Sequence, residues 1–124
     1  MKFLEYFSIY NYSDIFREFD RFLKSDIRNV YIEDAYMIMY VRKSKRSINR
    51  QLYDFIDIAN ISIERDMRDK GVFTNFISEL LNRYPDFNIL VENIFNPAVV
   101  TVLSKFGFER KDGPDNTWFL LRKR

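Results

Sequence analysis

Few side chains in this chain are equipped for chemistry. The sequence contains no histidine and no cysteine, which excludes thiolate nucleophiles, disulfides, zinc fingers and Ser-His-Asp machinery. Proton transfer must therefore fall to a carboxylate, a tyrosine, a lysine or a bound water. No Asp/Glu cluster has the spacing of a calcium loop, so no metal site is expected. Two stretches remain. Asp57 sits inside LYDFIDIANISI (52–63), an apolar run in which a buried carboxylate needs a reason. It is the best-placed candidate for a general base, ahead of Asp54 and Glu64, although pairing with one of the many arginines is the slightly favoured explanation. MRDKGVF (67–73) sets Arg68, Asp69 and Lys70 before a lone glycine, Gly71, and an apolar segment. A helix N-terminus after such a loop presents unpaired N–H groups and positive dipole, which suits a phosphate. Gly71 lets the backbone approach it without a Cβ in the way. The same loop also reads as ordinary surface punctuation, and it is not a Walker A motif.

Several elements must position these residues. Ile15, Phe16, Phe19, Phe22 and Leu23 form one stripe of a helix over 14–24, and the segment before it, KFLEYFSIY, alternates weakly as a strand. NVYIE and AYMIMYV read as a hairpin turning at 33–35, with the basic segment 42–50 as the connection to a strand over 52–63. In that strand Tyr53, Phe55, Asp57, Ala59, Ile61 and Ile63 share one face by period-2 alternation. Val72, Phe73, Phe76, Ile77, Leu80, Leu81 and Tyr84 give an amphipathic helix over 72–84, which Pro85 stops. NILVEN follows as a strand, making a parallel strand–helix–strand unit. Asn96 caps a third helix with Pro97 at its first position, and Gly107 closes it. FGFER and TWFLLR end the chain as a hairpin. The order is a mixed α/β sheet.

The ordered set from NISIERDMRDKGVF to NPAVVTVLSKFGFER resembles the GNAT acyltransferase superfamily over about residues 52–110. Arg68 and Gly71 match its R/Q-x-x-G-x-G/A loop. Asn93 ends the next strand, Asn96-Pro97-Ala98 opens the next helix, and Gly107-Phe108 closes it. The resemblance implies a single domain over 1–124 with a mainly antiparallel sheet, a central V-shaped splay and flanking helices. It implies acetyl-CoA, or another acyl-CoA, as cofactor. The backbone of Arg68, Asp69, Lys70, Gly71, Val72 and Phe73 would hold the pyrophosphate, the edge at Ile61 and Ile63 would meet the pantetheine arm, and Asn93 and Asn96 would touch the cofactor. Two positions depart from the pattern. Phe73 stands where Gly or Ala is usual, and Leu103 stands where the family often has a tyrosine that protonates the leaving thiolate.

The function implied is N-acyl transfer to an amine, small-molecule or protein. The alternative is a non-catalytic GNAT-like binding protein, phage-encoded in one version, engaging a host factor or nucleic acid through RKSKRSINR (42–50) and the terminal RKR. A charged loop of this kind is usually only solvated, so nucleic acid is not the favoured partner. Dimerisation through edge strands is a third reading. At 124 residues, 47% hydrophobic and 31% charged with net charge +2, the composition is that of one compact soluble domain. The apolar runs are too short for a membrane helix and there is no signal-peptide pattern, so a cytoplasmic location without membrane contact is expected.

Overall fold

The computed structural model describes residues 13–34, 36–65 and 71–122. The expected first strand, together with Arg68, Asp69 and Lys70 of the phosphate loop, lies outside them. Helix α1 (Ser13–Lys24) buries the stripe read from the sequence, with Ile15, Phe16, Phe19 and Phe22 all out of solvent. Strands β1 (Asn29–Glu33) and β2 (Met37–Ile48) form the first hairpin. The Asp34 carboxylate accepts the N–H groups of Tyr36 and Met37 at 2.7 and 2.8 Å and fixes that turn.

Strand β2 corrects one expectation. The basic segment 42–50 is not a connecting loop: β2 runs through it to Ile48 and pairs along its whole length with β3 (Gln51–Ile63). Only Asn49 and Arg50 turn the chain, both with positive φ (51° and 69°), the backbone a two-residue hairpin turn requires. Charged residues are tolerated inside the strand because they have partners. Lys45 pairs with Asp54 at 3.0 Å, Lys43 Nζ donates to the Ser25 carbonyl at 2.6 Å, and Arg42 and Arg46 both reach the buried Asp57 carboxylate.

Helix α2 (Val72–Arg83) crosses from β3 to β4 (Asn88–Val91), which pairs parallel to it. Helix α3 (Pro97–Lys105) follows, capped by Asn96, whose Oδ1 accepts the Ala98 N–H at 2.9 Å. The short β5 (Glu109–Arg110) and β6 (Trp118–Leu120) fold back, with β6 inserted against β4. The six strands run in the order β1-β2-β3-β4-β6-β5, antiparallel except for the β3–β4 step.

The main core lies between this sheet and the helices. Phe16 stacks on Phe76 at 5.7 Å between centroids, and Tyr84 donates to Asp20 at 2.6 Å to tie α1 to the end of α2. Arg122 closes the C-terminal end of α2 by donating to the carbonyls of Leu81 and Tyr84, so this member of the terminal basic run serves the fold. A smaller cluster, Ile48, Phe55, Leu90 and Phe119, packs on the opposite face of the sheet. No helix among the described residues is long and apolar enough to cross a membrane.

Candidate functional site

The site is built where β3 and β4 part. Their parallel ladder runs from Phe55–Asn88 to Ile58–Val91, and one further bond, from the Glu92 N–H to the Ile58 carbonyl at 2.9 Å, ends it. At this point β3 bulges: Val41 of β2 pairs with Ile58, its neighbour Tyr40 pairs with Asn60, and Ala59 is the extra residue. Asn93, held at φ 63°, donates its side-chain amide to the Ala59 carbonyl at 3.0 Å. The polar side chain thus completes the ladder where the strands separate, and the chain then turns away toward α3.

The bulge corrects the period-2 reading of β3. Before it, Asp57 faces Arg42 on one side of the sheet. After it, Ile61 and Ile63 lie opposite Met39 and Met37 and pack against the main core with Ile56 and Ile58. Asp57 therefore does not share a face with Ile61 and Ile63. One inserted residue flips every side chain beyond it.

Past the bulge, a cleft of about 510 Å³ opens. Its walls are Ile61, Ser62 and Ile63 of β3, Gly71 to Thr74 at the start of α2, Asn93 to Asn96, and Ala98, Val99 and Val102 of α3. Seven of the residues singled out from the sequence thus meet here: Ile61, Ile63, Gly71, Val72, Phe73, Asn93 and Asn96. Gly71 adopts φ 74° at the N-cap of α2 and makes no side-chain cap. Phe73 is buried within the apolar stripe of α2 while it also lines the cleft. Its bulk is absorbed by the core. Leu103 is fully buried in that core and does not line the cleft.

Asp57 lies apart, in an ion cluster on the other face. It is 0% exposed; Arg42 Nε donates to its Oδ2 at 3.0 Å, and Arg46 Nη2 lies 3.6 Å from the same oxygen. Arg42 Nη2 also donates to Glu92 Oε2 at 2.6 Å, so one guanidinium bridges two carboxylates. Burial and the hydrogen bond shared with Glu92 push Asp57 up to about 7, against the opposing pull of Arg42. Burial also works to raise Glu92, but its hydrogen bonds with Asp57 and Arg42 outweigh that effect and leave it lowered. Asp57 Oδ1 receives no hydrogen bond from a donor among the described residues. Glu92 and Arg42 were not foreseen as partners. The available signal was a charged residue closing the apolar strand ILVEN, one position before Asn93.

Among the described residues, an open six-stranded sheet, antiparallel but for one step and splayed at that step, with three helices, is a GNAT-like fold. Solved structures share it. One is a mutant AtaT toxin bound to the C-terminus of the antitoxin AtaR and acetyl-CoA, with TM-score 0.54, 15% identity, and coverage of 68% of this chain and 59% of that one. The same toxin with the antitoxin C-terminus matches at TM-score 0.50 and 14% identity, over 68% and 57% of the two chains. The KacTA–DNA complex matches at TM-score 0.50 and 11% identity, over 87% and 76%. The matched region thus spans less than two thirds of the AtaT chain. No protein-family profile and no curated protein sequence matches.

Proposed function

We propose that the protein is an acyl-CoA-dependent N-acyltransferase that moves an acetyl group to a primary amine. The observation that carries this reading is the cleft: the splay at Ile58–Ala59, the start of α2 at Gly71 and the capped start of α3 converge on one apolar slot. Such a slot suits a long flexible thioester arm, and a helix start with glycine at its N-cap suits the pyrophosphate. Arg68, Asp69 and Lys70 belong to that phosphate loop in this reading. Acetyl-CoA in the AtaT complex is consistent with it.

Transfer would proceed by attack of the amine on the thioester carbonyl, release of CoA as the leaving group, and loss of one proton from the amine nitrogen. Orientation in the slot supplies most of the advantage. A backbone N–H of the central strand β3 would stabilise the negative charge that develops on the carbonyl oxygen. Asp57 is the proton acceptor in this reading, through its ionised fraction near neutral pH. It is sealed from solvent and lines no part of the cleft, so in this reading the proton would have to pass through the partly exposed Glu92, which shares its guanidinium partner. Release of free thiol from acetyl-CoA, measured across a panel of polyamines, amino acids and peptides, tests the reading. Turnover that falls in Asp57→Asn supports it.

Leu103 favours a second reading. With an aliphatic side chain sealed in the core at that position, the chain would bind acyl-CoA without turning it over. Saturable CoA binding with no thiol release for any amine would favour this version. The solved relatives carry an antitoxin peptide in one case and DNA in another, so a protein or nucleic-acid partner belongs in both readings. The pairing of Arg42, Lys45 and Arg46 with carboxylates lowers the case for a nucleic-acid contact through 42–50.

A further inference from the structure

Phe95 is 73% exposed, more than any other large apolar side chain among the described residues. It stands on the rim of the cleft, between Asn93 and Asn96. Two other exposed aromatics have ring partners: Tyr31 meets Tyr40 in a tilted contact at 4.8 Å, and Phe87 meets the ring of Tyr84 edge-on. Phe95 makes no ring contact among the described residues.

The segment that presents it is held on both sides. Asn93 is tied to the Ala59 carbonyl, the Ile94 N–H donates to the Asn116 carbonyl at 3.1 Å with its side chain buried, and Asn96 caps α3. Nothing in the fold needs a phenyl ring in water at this point, yet the backbone beneath it is fixed. A rigid, solvent-facing ring on the mouth of a cleft is a ready platform for a flat group, because ordering it costs little on binding. The next rim position, Ala98, is small and exposed, so the approach to the ring is not crowded from α3.

We propose that Phe95 stacks on the base of a nucleotide-bearing thioester, and that it selects free acyl-CoA over a phosphopantetheine thioester carried on a protein. This rests on the acyl-CoA reading above. With the arm in the slot and the pyrophosphate at the start of α2, an adenosine leaving on the α3 side of the cleft meets Phe95, the exposed planar group there. A donor that ends at the phosphopantetheine has nothing to place on it.

The test is calorimetric titration of dephospho-CoA and of 4′-phosphopantetheine into the wild type, Phe95→Ala and Phe95→Trp. Dephospho-CoA lacks the 3′-phosphate, so the comparison isolates the adenosine and its bridging phosphate. Base–aromatic stacking predicts that Phe95→Ala weakens dephospho-CoA about 5- to 100-fold. It also predicts an unchanged phosphopantetheine affinity and retention of dephospho-CoA by Phe95→Trp. An unchanged dephospho-CoA affinity in Phe95→Ala overturns the proposal, as does an equal loss for both probes, which would mean the ring only shapes the loop. Absence of binding of either probe to the wild type overturns the acyl-CoA reading itself, and this proposal with it.

Discussion

The two halves of β3 make opposite use of the same extended backbone. From Phe55 to Ile58 the strand is paired on both edges, its core face is dry, and its one carboxylate is held by arginine. From Asn60 to Ile63 its strand partner among the described residues is β2, and Ile61 to Ile63 line the cleft. A single extra residue, Ala59, and a single side-chain hydrogen bond, from Asn93, separate the halves. The first half anchors the sheet, and in the acyl-CoA reading the second borders the ligand, because the ladder with β4 ends before it. The contrast makes the bulge the organising feature of the molecule, and it can be broken at defined points.

The largest effect is expected in the anchored half. Arg42→Met removes the guanidinium that bridges Asp57 and Glu92. Stranding a buried charge typically costs 3–5 kcal/mol; because Arg42 is itself 36% exposed, a loss of about 3 kcal/mol at pH 8 is expected in urea denaturation. At pH 5.5 the loss should be smaller, since Asp57 is then protonated. A pH-independent loss would show that Asp57 is not the stranded group.

Asp57→Asn addresses the same half more gently, because the amide resembles the protonated acid. Asp57 is raised to about 7 in the folded protein, above its ordinary range near 4. The native state therefore holds a proton that the unfolded chain releases. This contribution to stability is complete below pH 4 and is lost as pH rises toward and through 7. Glu92, lowered by its partners, works in the opposite sense at the acid end. Denaturation midpoints should thus fall from pH 5 to pH 8 in the wild type and change much less in Asp57→Asn. Parallel curves for the two proteins would contradict this.

At the boundary, Asn93→Ala loses the hydrogen bond to Ala59 and places alanine at φ 63°. Together these cost about 2 kcal/mol, whereas Asn93→Gly keeps the backbone free and costs about 1 kcal/mol. Both should weaken CoA binding. Equal stability of the two variants would show that the left-handed backbone carries no cost. The smallest effect is expected at the cleft wall. Gly71→Ala puts a Cβ at φ 74° and costs about 1 kcal/mol, with a larger proportional loss of CoA affinity than of stability.

The elements that pack were legible in the sequence, and the device that splits β3 was not. The stripes on α1 and α2, the Asn96-Pro97 start of α3 and the strand–helix–strand unit follow from periodicity and capping, which are local. The bulge is not local. Ala59 fits the alternation of β3 as well as its neighbours do, and only the register against β2 reveals the extra residue. The same reason hid the extent of β2: a run with Arg42, Lys43, Lys45 and Arg46 reads as loop until its partners across the sheet are known. The gathering of Ile61, Ile63, Gly71, Val72, Phe73, Asn93 and Asn96 on one cleft followed from the ordered motifs, while Glu92 and Phe95 had no motif to mark them.

The central claim is that the half of β3 beyond the bulge, where the ladder with β4 has ended, borders a CoA site. Calorimetric titration of CoA into the wild type and into Ala98→Trp tests it most directly, because Ala98 is an exposed lining residue whose enlargement fills the cleft without entering the core. The account predicts saturable one-to-one binding to the wild type and at least a tenfold loss in Ala98→Trp at unchanged melting temperature. No binding at millimolar CoA, or equal binding to both proteins, would contradict it.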